Sequence, residues 1–245
     1  MTYMFDWVGP RAPEAWDRVP LRTPEPYGDH LRPLYNLHQD VACAPEPDAT
    51  DPATDPASVP ADGDWRGLWV DLAASLAGRL ERFALVAAEE DHVVGQLRLF
   101  PKSCTHPRPG AWDSDTHHQA PDEEVLWLGA AAVDMPAYED RLPLHLLAYA
   151  IDEARRLGCT RLQAVAWSDV PVYALWAQSF PWMVYEAAGF RRISETDGSH
   201  LQALPDMLAG HHGAVVHELV TTQLAHSGLT MATAENLAVV EFCLS

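Results

Sequence analysis

A strand–helix–strand succession constrains the fold of this chain more than any other feature. Residues 125–133 form an apolar run typical of a buried strand, and Gly129 in its middle indicates a bulge or a close backbone approach. Residues 141–157 then repeat apolar side chains at helical spacing, and residues 162–167 are a second short apolar run. A helical crossover of this length joins parallel neighbours in one sheet, so the sequence predicts an α/β fold.

Apolar periodicity predicts further elements on both sides of this unit. They are helices at 29–42 and 64–80, a hairpin of strands at 83–88 and 93–100, a helix at 172–188 broken at Pro181, strands at 190–193 and 237–244, and an ambiguous helical stretch at 201–225. Successive strands and helices of this kind favour a mixed central sheet flanked by helices (α+β). We therefore expect a single domain over residues 1–245.

Two segments lie outside this regular pattern. Residues 44–64 interleave five prolines with six acidic side chains, a composition that cannot bury enough apolar surface to pack. We expect this stretch to be a disordered acidic loop. The C-terminal segment, residues 195–245, extends well beyond the strand predicted at 190–193.

The charge balance narrows the classes of partner. Thirty-five acidic residues against 16 basic ones give the 245-residue chain a formal net charge of −19. That excess repels nucleic acid and anionic lipid, so we expect a small-molecule substrate, no membrane and no nucleic acid, and leave a homodimer open. Four scattered cysteines, no apolar run of about 20 residues and no basic leader favour a cytoplasmic protein.

Two motifs resemble those of the GNAT superfamily of N-acetyltransferases. The sequence from Tyr185 to Phe190, YEAAGF, is similar to the Y-x-x-x-G-F ending of the family's last helix before the sixth strand. Ala131 and Val133 lead into a helix start with the family's spacing. The resemblance covers residues 83–194 and implies a GNAT-like sheet whose fourth strand is bulged and diverges from the fifth.

The same resemblance implies an activity and a donor. Members move an acyl group from acetyl-coenzyme A or another acyl-coenzyme A to an amine. The backbone of the central strand, here Gly129, Ala131 and Val133, would carry the donor's pantetheine arm. No metal is implied.

The loop that binds the donor's pyrophosphate departs from the family pattern. In the family it reads R/Q-x-x-G-x-G/A, because backbone N–H groups must close around the phosphates and glycine permits that approach. Residues 138–143 contain no glycine; Pro143 lacks an N–H, and Glu139 with Asp140 brings two negative charges. Only Arg141 favours an anion. These residues disfavour ordinary coenzyme A binding.

Three side chains are candidates for proton transfer. Tyr185 matches the tyrosine that protonates the departing thiolate in many relatives, although an aromatic here also suits the core. Glu124, at the start of the central strand, is where some relatives place a base, and it equally suits a solvated carboxylate. His117, in the polar insert at 101–124, is a further proton acceptor.

Four side chains are candidates for binding the acceptor. Trp167 and Asp169 follow the fifth strand, beside the cleft that the resemblance implies, and an aromatic wall with one carboxylate suits an apolar or cationic acceptor. Trp127 on the central strand and His118 in the insert complete the set. The His, Cys and Asp residues of the insert have no regular ligand spacing, so no metal is expected.

Three functions remain open from the sequence. The first is a GNAT-type N-acyltransferase that uses a thioester donor and a small-molecule amine. The second takes the acyl or aminoacyl group from a carrier protein or an aminoacyl-tRNA, which the net charge disfavours. The third is a GNAT-like fold that has lost coenzyme A binding and performs acid/base chemistry on, or binds, a small metabolite.

Overall fold

In the part of the chain that the structure describes, seven strands form one sheet. The computed structural model describes residues 2–9, 80–90, 92–102, 124–167, 169–176, 179–196, 213–230 and 236–244. The strands are β1 Met4–Val8, β2 Ala84–Glu89, β3 His92–Pro101, β4 Val125–Val133, β5 Arg161–Trp167, β6 Arg191–Thr196 and β7 Leu237–Cys243. The helices are α1 Met135–Glu139, α2 Leu142–Arg156, α3 Pro171–Trp176, α4 Trp182–Ala187 and α5 Gly213–Ser227.

The sheet is mixed, in the order β1-β2-β3-β4-β5-β7-β6. Five of its neighbouring pairs are antiparallel, and β4 with β5 is the parallel pair. This arrangement confirms the predicted hairpin of β2 and β3 and the predicted crossover from β4 through α2 to β5. The fold class predicted from the sequence is therefore confirmed.

The crossover helix α2 forms because its apolar side chains repeat on one face. Leu146, Leu147, Ala150 and Ala154 are fully buried at helical spacing, and the helix packs against the middle strands of the sheet. It ends before Gly158, which has a φ of +74°, a conformation that glycine adopts without strain. Burial of this stripe fixes which face of the sheet the helix covers.

Two short elements escaped the sequence prediction. Strand β1 pairs with β2 at the edge of the sheet, and its five residues were too few for a distinct alternating pattern. Helix α1 spans five residues directly after β4, with Pro136 in its first turn. Both lie close to the loop that differs from the family motif.

The broken helix predicted around Pro181 is confirmed as two helices, α3 and α4. Pro181 occupies the position immediately before α4, where its fixed φ suits a helix start. Gly189, with a φ of +92°, ends α4 and lets Phe190 turn back into the core. The Y-x-x-x-G-F ending thus has the predicted helix–turn–strand context.

Several predictions fall outside the described residues. These are the helices at 29–42 and 64–80, the acidic loop at 44–64 and most of the insert at 101–124. Helix α5 lies partly within the ambiguous stretch at 201–225. That residues 1–245 form a single domain stays a prediction. Among the described helices, none is both long and apolar enough to cross a bilayer.

Candidate functional site

β4 and β5 are paired over only part of their length, and we call the gap between their unpaired parts the cleft. Their parallel pairing ends at Leu128 and Ala164. Between the pairs Leu97–Ala131 and Leu99–Leu128, β4 has one residue more than β3, which places a bulge at Gly129 and its neighbour. Beyond this bulge β4 is still paired with β3, and β5 is still paired with β7. The opposite backbone edges of β4 and β5 therefore face the gap.

The predicted donor-binding residues on β4 lie along this edge. Gly129 is half-buried at the bulge, while the side chains of Ala131 and Val133 are buried. Because their side chains stand perpendicular to the sheet, their backbone groups lie in its plane, facing a neighbouring strand or the gap. An extended ligand with amide groups would find strand-like hydrogen-bond partners here.

Across the cleft, Ser179 attaches to the edge of β5. Its hydroxyl donates to the carbonyl oxygen of Val165, the first β5 residue beyond the last β4 pair. The hydroxyl of Tyr185 lies in hydrogen-bonding contact with Ser179. A chain of polar contacts therefore leads from Tyr185 to the β5 side of the cleft.

Tyr185 itself is a core residue in this structure. It is 1% exposed, and its ring packs between Phe180 and Phe190 at centroid distances of 6.0 and 5.3 Å. Burial raises the pKa of its hydroxyl to about 12, against the opposing contacts with Ser179 and the Phe180 backbone. The phenol is protonated at neutral pH, as a general acid must be, and that role stays a prediction.

The α1–α2 loop retains a glycine-like backbone without a glycine. Arg141, which stands where the family motif has its first glycine, adopts a left-handed conformation with a φ of +65°. The N–H groups of Asp140 and Arg141 donate to the carbonyls of Pro136 and Tyr138, at 3.1 and 3.0 Å. Two loop amides are therefore committed to the end of α1, away from any phosphate.

The acidic side chain of this loop is held by the N-terminal segment. The Tyr3 hydroxyl donates to Asp140 Oδ2 at 2.9 Å. This bond holds the pKa of Asp140 below its usual range, while burial and the same contact raise the pKa of Tyr3. A negative charge thus persists at the N-terminus of α2, where a phosphate would otherwise sit.

The first turn of α2 packs tightly on the sheet. Leu142 and Pro143 are buried. A Cβ atom added at Gly95 of β3 would lie only 2.8 Å from Leu142 Cδ2, so glycine at that position gives Leu142 its space. Sequence analysis had given Arg141 as the loop's anion-binding residue; its side chain is exposed beside this packed turn.

Asp134 lies at the end of β4, just before the loop. Burial raises the pKa of its carboxyl to about 6. Among the described residues no donor contacts its Oδ1, and its backbone N–H donates to the carbonyl of Val94 at 3.1 Å. The entrance to the loop therefore adds a further acidic group to those of Glu139 and Asp140.

Glu124 lies at the opposite end of β4. It is exposed, and Thr160 donates to its carboxylate at 3.0 Å. Nine strand residues separate it from Asp134, or roughly 30 Å at the usual rise per residue. Its role as a base stays a prediction, and the contact with Thr160 matches the solvated, structural alternative.

Asp169 already has partners in this structure. Its carboxylate accepts the backbone N–H of Met183 at 3.3 Å, close to the start of α4, and lies 3.6 Å from the Arg192 guanidinium. That guanidinium also stacks on Trp182, 4.5 Å from the ring centroid. Burial and the nearby Asp169 raise the pKa of Tyr138 to about 12. Asp169 thus contacts α4 and β6 at the carboxyl end of β5, and its charge acts on Tyr138 of α1.

A row of buried side chains crosses one face of the sheet. Sequence analysis predicted one of its members, Trp127, as a substrate-binding residue, and that role stays a prediction; it missed Gln163 and Glu241. Trp127, Gln163 and Glu241 are successive register partners on β4, β5 and β7, and all three are buried. Gln163 Nε2 donates to Glu241 Oε2 at 2.8 Å, and Arg191 donates to Oε1 at 3.0 Å. The sequence signal that could have revealed this row is a glutamine and a glutamate, each inside an otherwise largely apolar strand.

The charge of Glu241 is retained in this row. Burial alone would raise the pKa of its carboxyl, but hydrogen bonds from Gln163 and Arg191 and the charge of Arg161 outweigh that effect and lower it. A charged carboxylate accepts but cannot donate, so it fixes the direction in which the Gln163 amide points.

Three predicted residues have no described side chain. His117 and His118 lie outside the described residues, and only the backbone of Trp167 is described. No group of His, Cys, Asp or Glu suited to a metal occurs in the described part of the chain. The roles predicted for these three residues stay predictions.

The mixed sheet, the bulge in β4 and its divergence from β5 are features that the family resemblance implies. The fold is GNAT-like. No protein-family model and no curated protein sequence matches the chain.

Solved structures similar to this chain include three acetyltransferases. One is an acetyltransferase of the GNAT family from Streptococcus pneumoniae (10% identity, 100% of both chains, TM-score 0.48). Another is an N-acetyltransferase from Staphylococcus aureus Mu50 (12% identity, 100% of both chains, TM-score 0.47). The third is an aminoglycoside 6'-N-acetyltransferase complexed with coenzyme A (10% identity, 71% of this chain and 79% of that chain, TM-score 0.38).

Proposed function

We propose that this chain is an N-acyltransferase that moves an acyl group from a thioester to the amine of a small molecule. We further propose that the donor is held by the backbone of β4 beyond Gly129 and not by a diphosphate-binding loop. The observation that carries this proposal is the cleft between β4 and β5 beside the Gly129 bulge.

The cleft suits the arm of a thioester such as acyl-pantetheine. Such an arm is extended and contains amide groups, which can pair with a strand edge much as an added strand does. The edge of β4 beyond Leu128 lies opposite β5 residues that pair with β7. An acyl group carried on the arm would then approach the closed end of the cleft, near Trp127.

The structure of the α1–α2 loop supports a donor that is bound through its arm and not through its phosphates. The N–H groups of Asp140 and Arg141 are used within the loop, Pro143 has none, and the Asp140 carboxylate is fixed by Tyr3. A phosphate placed there would meet a carboxylate and few donors. Acyl-pantetheine and acyl-coenzyme A should therefore be bound about equally well.

The reaction is balanced without a further reactant. The amine lone pair forms a C–N bond with the thioester carbonyl carbon, the C–S bond breaks with its electron pair on sulfur, and the amine proton ends on the thiol. Tyr185 is our candidate for the acid that protonates the sulfur, and its contact with Ser179 connects it to the β5 side of the cleft. Glu124 and His117 are the candidate bases.

A second candidate function has one observation in its favour. In the loop, the N–H groups of Asp140 and Arg141 already have acceptors, and the Asp140 carboxylate is bonded to Tyr3. These contacts equally suit a GNAT-like fold that uses no coenzyme A and binds or transforms a small metabolite. Transfer from a carrier protein or an aminoacyl-tRNA is less favoured, because the net charge of −19 repels both anionic partners.

The decisive experiment compares donors that differ only in the nucleotide. The full chain is incubated with a panel of primary amines and with acetyl-coenzyme A or S-acetyl-pantetheine, and released thiol is measured. A blank accounts for the protein's own thiols, including Cys159 and Cys243. We expect thiol release from both donors, with KM values within about threefold, or less than 0.7 kcal/mol.

Two outcomes would contradict the proposal. Absence of thiol release from either donor with every amine would remove acyl transfer and favour the second candidate. A KM for acetyl-coenzyme A far below that for S-acetyl-pantetheine, with competition by adenosine 3',5'-diphosphate, would show that the loop binds phosphates after all.

A further inference from the structure

The side chain of Gln163 has an acceptor with no donor. Gln163 is 1% exposed, and among the described residues no donor contacts its Oε1. Leaving a buried acceptor unpaired is unfavourable by about 1 to 3 kcal/mol in proteins, so such atoms call for an explanation. A ligand that donates a hydrogen bond would relieve this cost.

The orientation of the Gln163 amide is fixed by its neighbours. Its Nε2 donates to Glu241, whose carboxylate can only accept, and Arg191 in turn holds Glu241 at 3.0 Å. Exchanging the amide oxygen and nitrogen would face two acceptors toward each other. The oxygen is therefore the atom left for another partner. Donation from Nε2 to a carboxylate also polarises the amide and strengthens that oxygen as an acceptor.

Gln163 lies at the closed end of the cleft. Its register partner on β4 is Trp127, and the next pair, Leu128 with Ala164, is the last before the strands part. Register partners place their side chains on the same face, so Gln163 and Trp127 are side by side. An aromatic ring beside an amide oxygen is a suitable environment for an amino group.

We propose that Gln163 Oε1 accepts a hydrogen bond from the amino group of the acceptor, with Trp127 beside it, and so orients the amine at the closed end of the cleft. This assignment rests on the proposed acyl transfer. Gln163 is neutral and takes no proton; it holds the amine next to the cleft where the thioester arrives. Glu241 and Arg191 act through Gln163 and are positioning residues.

The chain offers a matched control in Gln96. It lies on β3, is also 1% exposed, and its Oε1 likewise has no donor among the described residues. Its partner on β4 is Ala132, five residues along the strand from Trp127 and roughly 16 Å away. Replacement of either glutamine by methionine removes one amide of the same type from the same sheet.

The experiment measures amine binding by calorimetry, without a donor. Benzylamine, tryptamine and putrescine are titrated into wild type, Gln163→Met and Gln96→Met. Loss of one hydrogen bond to the amine should weaken binding about tenfold in Gln163→Met, with less than twofold change in Gln96→Met. On wild type, benzyltrimethylammonium keeps the ring and charge of benzylamine but has no N–H, and should bind about tenfold more weakly.

The outcomes separate this inference from the proposed function. Equal amine binding by Gln163→Met and wild type, equal binding of the quaternary analogue, or no binding of any amine at millimolar concentration would overturn the amine site. Amine binding that depends on Gln163, without thiol release from any thioester, would keep the site and overturn acyl transfer. If Gln163→Met fails to fold, the comparison of benzylamine with benzyltrimethylammonium on wild type tests the amine site by itself.

Discussion

The cleft between β4 and β5 and the loop between α1 and α2 differ in how they treat backbone hydrogen bonds. In the cleft, β4 bulges at Gly129 and turns an edge away from β5. In the loop, the N–H groups of Asp140 and Arg141 are satisfied locally, and the nearby carboxylate is tied to Tyr3. Strand edges beside the cleft lack a β4–β5 partner, whereas two amides of the loop already have one.

In the binding mode that we propose, the arm and the phosphates of a nucleotide thioester are recognised separately. Recognition of the arm would depend on the divergence of two strands, and so on strand pairing along much of the sheet. Recognition of the phosphates depends on a few free amides and on charge, which a handful of loop residues decide. The predictions that follow test the two regions separately.

Removal of the Tyr185 hydroxyl should have the largest effect, and it tests the cleft. We expect Tyr185→Phe to lower kcat about 100-fold if the phenol protonates the sulfur, the usual scale of acid catalysis. The free energy of unfolding should fall by only about 1 kcal/mol, because the ring and its packing remain. Stopped-flow thiol release and urea unfolding measure the two quantities.

A neighbouring core ring is the control for this change. Phe180 is fully buried, 6.0 Å from Tyr185 by ring centroids, and Phe180→Leu should cost about 1 kcal/mol while leaving kcat within about threefold. An unchanged kcat in Tyr185→Phe would instead make Tyr185 a core aromatic only.

Neutralising the loop should have the next largest kinetic effect. Asp140→Asn removes a charge from the N-terminus of α2, so we expect the KM for acetyl-coenzyme A to fall about threefold and that for S-acetyl-pantetheine to stay constant. Asp152→Asn, on an exposed turn of the same helix, is the control and should alter neither KM. Parallel changes for both donors would mean that the phosphates do not lie near the loop.

The backbone of the loop gives a purely structural prediction. Arg141 has a φ of +65°, which costs a residue with a side chain roughly 1 kcal/mol more than glycine. Arg141→Gly should therefore raise the free energy of unfolding by about 1 kcal/mol, measured in urea. Ala148→Gly, in the middle of α2, should lower it by a similar amount, since glycine is unfavourable within a helix.

The pH dependence at the loop entrance should be the smallest effect. The pKa of Asp134 is raised to about 6, so the folded state binds this proton more tightly than the unfolded state, and stability falls as the pH rises from about 4 to about 6. Since the group is half-exposed, Asp134→Asn should gain only about 1 kcal/mol at neutral pH and nothing at about pH 4. Urea unfolding across this range measures the slope.

Asp140 provides a contrast of opposite sign. Its pKa is lowered, so its contribution to stability is present at neutral pH and is lost as the pH falls through the acidic range. Asp140→Asn should therefore lose stability at neutral pH relative to wild type. The same direction of change in both variants would contradict the separate environments described for the two carboxylates.

Much of the fold was predictable because its signals are local. The apolar run of β4, the helical spacing of α2 and the Gly158 stop fix the parallel crossover, and Pro181 with Gly189 fixes the limits of α4. The bulge at Gly129 was predictable from a glycine inside a strand. Strand β1 was not, since five residues carry too little pattern and its pairing with β2 spans some 80 positions.

The candidate site was predictable only in part. The missing glycines and the acidic charge of the loop are visible in the sequence, but its hydrogen bond to Tyr3 joins residues 137 positions apart. Asp169 was predicted to bind substrate, and only the fold shows its carboxylate beside Met183 and Arg192. The row of Trp127, Gln163 and Glu241 depends on strand register, which no local pattern specifies.

The sequence by itself determined the succession of strands and helices, the bulge and the loss of glycine from the loop, because propensity, side-chain volume and charge act between near neighbours. Only the tertiary structure decided which polar groups meet. Strand pairing brings Gln163 between Trp127 and Glu241 and sets Tyr3 against Asp140, since hydrogen bonds depend on distances between atoms that are remote along the chain.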